Sequence, residues 1–383
     1  MSPSMIFHYP RPIKAEISGS QVHISQMLKA FRQLGYQIEM VTGYARERAA
    51  TFKRLQREAT MGRRFDFLYA WSPTMPTLLS RRNFYRPFLD LRLFAWCRAQ
   101  AIPVGLFYGD VHWRFPHYKS AAPWLWRTVA IPFYWYDWLS YRWLVDRLFL
   151  PSLQMLNALP TGWRRRRVSA LAPGCNIVPL PPRSPKAPDE LLELFYVGGV
   201  TPPLYDLKPM FDVLKDLDHV HLTVCCRQEE WEKNASYYSP LHGDHIRIVH
   251  AHGEELRRYY AAADLFGLFW QPNPYLNVTM PVKVFESIGY GVPIATTRGT
   301  EVARFVEREQ VGWVVASADE FCELLVRLQA DGRILADMRR RVAVVRERNT
   351  WEARAQMIAD ILQATRERSP GESRGGTGTW PNV

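Results

Sequence analysis

Twice along this chain, short apolar runs alternate with segments whose apolar residues recur at helical spacing. That rhythm admits few folds, because parallel strands buried on both faces need helical crossovers. In the first half, Met5–His8 reads as a strand, and a loop follows. Ile24, Met27, Leu28 and Phe31 then mark a helix that runs to Gly35. Gln37–Val41, Phe65–Trp71 and Val104–Phe107 read as further strands, with a basic surface helix over Glu47–Ala59 and a helical stretch near 88–99. The second half repeats the pattern. Strands are expected at Leu191–Val197, His219–Cys226, Ile246–Val249, Asp264–Trp270, Pro293–Thr296 and Gly312–Ala316. Helices are expected along the stripe Leu207, Met210, Phe211, Leu214 and Leu217, at 254–263, from Pro281 to Gly289, and over 319–365. The expectation is an α/β protein of two tandem Rossmann-like domains, 1–175 and 176–348, joined through the Pro-rich stretch at 180–190. A helix at 349–366 and a disordered tail at 367–383 complete the chain.

Length and composition agree with two sizeable cores: 383 residues, 47% of them hydrophobic. Basic residues outnumber acidic ones 49 to 37, and the net charge of +12 points to polyanionic partners. The five cysteines (97, 175, 225, 226, 322) form no C-x-x-C pair, which fits a reducing compartment and argues against a disulfide framework or a structural zinc site. The first residues show no apolar h-region, and no run of 18 apolar residues occurs.

Open α/β sheets take ligands beyond the carboxyl ends of their strands. The stretch QPNPYLNVTMPVKVFESIGYGVPIATTRG, 271–299, begins just after a predicted strand. Pro281 suits a first helical position, and a helix N-terminus favours a phosphate. Lys283 in that turn adds a full charge, and Glu286 lies on the same face, where a carboxylate can hold a ribose diol. On spacing alone, a Lys–Glu surface pair on an amphipathic helix is the favoured reading.

The run Pro281–Ile294, PVKVFESIGYGVPI, resembles the donor-nucleotide motif of GT-B fold glycosyltransferases. SGSQVHISQMLKAFRQLGYQIEMVT at 18–42 resembles that family's first glycine loop, helix and second strand. LFYVGGVTPPLYDL at 194–207 and EELRRYYAAADLFGLF at 254–269 resemble its C-domain opening and the segment before the donor motif. The likeness covers nearly all of 1–365. It implies two domains facing a cleft, an N-terminal one for the acceptor and a C-terminal one for a nucleotide sugar, with the last helix packing back on the N-domain. The retaining branch of the family carries two Glu separated by seven residues. Glu286 matches the second, whereas Val278 stands at the first. The P-x-K-x-x-E form resembles a subset acting in bacterial capsule and exopolysaccharide assembly.

Gly109-Asp110-Val111-His112-Trp113 follows the Val104–Phe107 strand directly. A carboxylate and an imidazole two residues apart suit acid–base work. Asp110 is the candidate base, with His112 orienting acceptor or donor phosphate; a turn cap beside a packed ring is the other reading. The resemblance adds donor-side candidates: Gly19 in the loop Ser18-Gly19-Ser20, Gly199 in Gly198-Gly199, Lys208 and Arg227 as phosphate-binding cations, and Glu301 near the donor sugar. Each also has a plain structural reading as a turn glycine or an exposed helix residue.

The segment 111–167 holds seven Trp, with nine basic residues against two acidic ones. Trp and Arg suit an anionic membrane interface; a Trp-rich core with a solvated basic rim is the alternative. A nucleic-acid module is the rival class for so basic a chain, but no RRM, KH or zinc signature occurs. An epimerase of the same fold acting on UDP-sugars is the third reading. The resulting expectation is a cytoplasmic glycosyltransferase, peripheral on the inner face of the cell membrane. It moves a sugar from a nucleotide donor, a UDP-sugar, to a glycan or lipid-linked acceptor, without a metal and without nucleic acid.

Overall fold

A computed structural model describes residues 2–13, 19–79, 86–116, 118, 123–160, 162–180, 185–188, 190–241 and 243–367. Two parallel six-stranded sheets organise the chain. The first contains β1 (Ser4–Tyr9), β2 (Gln37–Thr42), β3 (Phe67–Ser72), β4 (Val104–Tyr108), β5 (Arg147–Leu150) and β6 (Val168–Ala170), in the order β2-β1-β3-β4-β5-β6. The second contains β7 (Leu192–Val197), β8 (Val220–Cys225), β9 (Ile246–Val249), β10 (Leu265–Leu268), β11 (Ile294–Thr297) and β12 (Gly312–Val315), in the order β12-β11-β10-β7-β8-β9. Strand order reverses between β7 and β10, and there the loops after those two strands open the crevice that such sheets use for ligands.

Burial explains which strands could be read from the sequence. β1, β3 and β4 are buried along their whole length, so they are continuous apolar runs. β2 lies at a sheet edge, keeps a partly exposed face and alternates accordingly. The N-terminal sheet has two strands beyond the four expected. β5 and β6 are short and lie within the basic, Trp-rich text, where neither shows an apolar run long enough to stand out.

That text also forms a 21-residue helix, Trp124–Leu144, which continues through Pro132. Ala130, Tyr134, Asp137, Trp138 and Tyr141 make its buried face. Asp137 accepts the Thr77 backbone N–H at 2.7 Å, and burial pushes its carboxyl up to about 7. The opposite face is also apolar: Trp124, Leu125, Val129, Trp135, Leu139 and Trp143 are exposed. No helix among the described residues is long and apolar enough to cross a membrane.

Beneath the N-terminal sheet edge, Arg48 is fully buried and grips Asp90 through Nε and Nη2, each at 2.9 Å. His8 Nε2 lies 2.8 Å from the same carboxylate. In the linker, Lys186 reaches buried Asp264 at 2.5 Å, and Arg339 meets the other oxygen at 2.6 Å. Residues 181–184 and 189 of that stretch lie outside the described residues, as do Ser18 and the tail from 368. The final helix, Trp351–Glu367, packs against the helix Gly19–Gln33 and against β3 and β4. Its Trp351, Ala355, Ile358, Ala359 and Leu362 belong to the core on that side of the N-terminal sheet. Gly105 of β4 is needed there: a Cβ would come within 2.9 Å of Leu362.

Candidate active site

The helix of the donor-like motif is Val282–Gly289. Pro281 is its cap, with extended backbone, rather than its first helical residue as spacing suggested. No side chain caps this helix, so its first-turn N–H groups have no side-chain acceptor. The next helix contrasts: Thr300 Oγ1 accepts from Ala303 N at 3.0 Å. Lys283 Nζ bonds both oxygens of Glu286, at 2.8 and 3.1 Å, and both side chains are about three-quarters buried. Tyr260 adds its hydroxyl to Glu286 Oε2 at 3.1 Å and stacks on Tyr290, rings 4.7 Å apart. Three groups thus hold a cation and an anion side by side at an uncapped helix end, which carries a partial positive charge. Tyr260 was not singled out in the sequence; its Glu286 partner is 26 residues away.

Across from it, Asp110 and His112 sit just beyond β4. Asp110 Oδ1 accepts the His112 backbone N–H at 2.9 Å. Oδ2 lies 3.2 Å from His112 Nδ1, an ion-pair distance without hydrogen-bond alignment. The other ring nitrogen, Nε2, meets the Tyr134 hydroxyl at 3.3 Å, and that hydroxyl donates to Thr74 O at 2.9 Å. Burial pushes the Asp110 carboxyl up, but its bonds to His112 and Tyr275 outweigh that and leave it below the ordinary value. Two tyrosines of the C-terminal domain face it. Tyr275 hydroxyl donates to Oδ1 at 3.3 Å. Tyr205 feels the Asp110 charge, which adds to burial in pushing its hydroxyl up to about 12.

The remaining candidates lie on separate elements. Gly199 lies after β7, where a Cβ would come within 2.8 Å of the Tyr205 ring. Its lack of a side chain therefore admits Tyr205. Glu230 pins the same loop by accepting from Val200 N and Thr201 Oγ1, each at 2.8 Å. Gly19 is the first residue of a helix, where the sequence suggested a loop. Lys208 opens the helix Lys208–Leu214 and stands over the Tyr237 ring at 5.1 Å. Arg227 is exposed at the cap of the helix Gln228–Tyr238. Glu301 is buried, pairs with Arg304 at 2.7 Å, and donates its backbone N–H to Leu276 O at 3.0 Å. Burial raises its carboxyl, with Arg304 opposing.

Val278 has a structural role. It is buried within the N-terminal domain's core cluster, and its carbonyl accepts from buried Ser152 Oγ at 2.7 Å. A carboxylate at this position would enter apolar surroundings, so the one-Glu form of the motif suits this domain contact.

Residues 193–331 match a family model described as Glycosyl transferases group 1. No curated protein matches the chain significantly in sequence. Solved structures resemble it over almost its whole length. Sucrose-phosphate synthase from Thermosynechococcus elongatus is 15% identical, covers 96% of this chain and 100% of its own, and has a TM-score of 0.61. Anabaena HepE in complex with UDP and glucose is 13% identical over 95% and 100% of the two chains, also with a TM-score of 0.61. WaaG, a glycosyltransferase involved in lipopolysaccharide biosynthesis, is 13% identical over 94% and 99%, with a TM-score of 0.56. The Glycosyl transferases group 1 likeness thus lies in the C-terminal domain, at residues 193–331, and the two parallel-sheet domains together share the GT-B fold of these solved structures.

Proposed function

We propose that this enzyme transfers a sugar from a UDP-sugar to a lipid-linked acceptor at the surface of an anionic bilayer. The observation that carries the donor reading is the Lys283–Glu286 pair beside Tyr260 at an uncapped helix N-terminus. A diphosphate seated on the first-turn N–H groups takes over the Lys283 ammonium. Glu286, still held by Tyr260, then accepts from the ribose hydroxyls. HepE, which shares the fold, has been solved with UDP and with UDP-glucose. These cationic and N–H groups stabilise the charge that builds on the departing diphosphate.

On the acceptor side, the Asp110–His112 dyad takes the hydroxyl proton. His112 Nε2 is the accepting atom once the acceptor hydroxyl replaces Tyr134 there and the ring proton sits on Nδ1, beside Asp110, which orients the ring and stabilises its charged form; this exchanges the roles that spacing alone suggested. The acceptor oxygen bonds to the anomeric carbon. The bond from that carbon to the phosphate oxygen breaks, and its electron pair leaves with UDP. The long contacts around His112 shorten once substrate fills the cleft. Lys283→Ala is expected to weaken UDP binding roughly ten- to hundredfold, with the melting temperature of the free protein little changed. Isothermal titration with UDP checks this, and an unaltered dissociation constant would remove Lys283 from the donor site.

The helix Trp124–Leu144 supports the bilayer reading. Trp124 and Trp143 are 66% and 71% exposed at its two ends, and exposed Arg142 adjoins Trp143. A soluble helix normally turns charge to water on this face; an apolar, Trp-rich one matches the interfacial zone of a membrane. Its buried face carries Tyr134, which touches His112, so the surface and the dyad share one element. Replacing Trp124 and Trp143 together by Ser is expected to abolish sedimentation with vesicles containing phosphatidylglycerol. UDP affinity stays unchanged, because both side chains are largely exposed. Undiminished vesicle binding would refute the assignment.

A further inference from the structure

The loop between β10 and the helix Val282–Gly289 does more than lead into the donor site. It crosses the cleft and is held from both sides. On its own side, Asn273 Oδ1 accepts from Tyr275 N and Leu276 N, at 3.1 and 3.0 Å, and Leu276 O accepts from Glu301 N. On the far side, Val278 enters the N-terminal core, and Phe115 meets the Tyr275 ring edge-on with centroids 5.5 Å apart. The Tyr275 hydroxyl ends on Asp110 Oδ1, the oxygen that also takes the His112 N–H. Lys283 follows Tyr275 by only eight positions.

We propose that Tyr275 is a positioning residue for the transfer step: its hydroxyl fixes the carboxylate that orients His112, so that docking of the donor-side loop and assembly of the dyad are one event. This rests on the dyad reading given above. The physical argument is one of donors and orientation. With two donors on Oδ1, the Asp110 carboxylate cannot turn, and Oδ2 stays within ion-pair distance of His112 Nδ1. Burial, assisted by the Asp110 charge, holds the Tyr275 hydroxyl protonated, which keeps it a donor. Without that donor the carboxylate loses a stabilising bond and a rotational stop, and the imidazole loses its fixed aim. The contact also couples the two substrates. A donor loop lifted from the N-terminal domain leaves the dyad loose, so a nucleotide sugar in an open cleft is not wasted on water.

Tyr275→Phe keeps the ring against Phe115 and removes only the hydroxyl, so it isolates the proposed role from packing. The first readout needs no substrate. The Asp110 side-chain carboxyl is followed by 13C NMR, its signal assigned by its loss in Asp110→Asn. In Tyr275→Phe it is expected to titrate at higher pH than in the parent. The second readout is UDP release from whichever of UDP-glucose, UDP-galactose and UDP-N-acetylglucosamine most raises the melting temperature. Turnover is expected to fall about tenfold or more, the acid limb of the kcat/KM profile to move to higher pH, and the UDP dissociation constant to stay within about twofold. Tyr275→Leu should add a loss of thermal stability through the missing ring.

An unmoved carboxyl titration, or a Tyr275→Phe enzyme with parental turnover and acid limb, overturns the proposal. Equal falls in turnover and melting temperature with a fixed acid limb overturn it too, in favour of a structural anchor. The failure of the underlying reading is separate: Asp110→Asn with normal turnover removes the dyad itself. An inactive Asp110→Asn beside an unaffected Tyr275→Phe removes only the role of the tyrosine.

Discussion

Asp110→Asn is expected to lower turnover by about 10²–10⁴-fold, with UDP affinity and the melting temperature close to those of the parent. The substitution keeps the shape of the side chain, and its carbonyl oxygen can still take the His112 backbone N–H. What changes is the group beside the imidazole. Oδ2, at 3.2 Å from Nδ1, becomes either an NH2 donor or a neutral oxygen, and neither stabilises a protonated ring as a carboxylate does. The contrast with Lys283→Ala is informative. One variant binds UDP and does not turn over; the other loses the nucleotide. Steady-state UDP release together with calorimetric UDP titration distinguishes them.

The second large effect is on stability. Asp90→Ala is expected to cost roughly 3–5 kcal/mol, because it strands the buried Arg48 guanidinium along with His8. For a domain of this size that corresponds to a fall in melting temperature of about 10 °C. The same contact sets a pH dependence. Burial pushes the Asp90 carboxyl up, but the His8 and Arg48 interactions outweigh it and hold the folded-state value at about 2, against 3.8 for a free side chain. In the folded chain Asp90 therefore keeps its charge down to lower pH than in the unfolded chain. The stability this contributes is fully present above about pH 4 and is lost as pH falls from there toward 2. Its size is about 2 kcal/mol. Urea unfolding at pH 7 and near pH 3 checks both points: the parent loses more stability between the two than Asp90→Ala does.

Much of the fold could be read from residue patterns, for a local reason. Strands covered on both faces leave continuous apolar runs and half-covered ones alternate, and from these patterns all six of the C-terminal sheet were anticipated, as were β1 to β4. β5 and β6 were not. Their three or four residues lie among arginines and tryptophans, where a short buried strand has no distinctive composition. The exposed apolar side of Trp124–Leu144 was foreshadowed by composition, yet which Trp faces outward is settled by packing. Trp113, Trp138 and Trp163 turned inward, while Trp124 and Trp143 remain exposed.

The site divides along the same line. Lys283 and Glu286 are three residues apart on one helix, so their pairing follows from helical geometry. Asp110 and His112 likewise share one turn after β4. Their partners are distant: Tyr134 lies 22 residues from His112, Glu230 lies 30 from Val200, and Tyr275 lies 165 from Asp110. Spacing carries information only within one element, where the backbone repeat sets which side chains meet. The amino-acid order by itself therefore determined two α/β domains, a cationic helix end and an acid–imidazole pair. Only the tertiary structure decided that a tyrosine from one domain completes the carboxylate of the other, and that Val278 belongs to the N-terminal domain's core. Contacts between separate elements arise from chain packing, which no local repeat encodes.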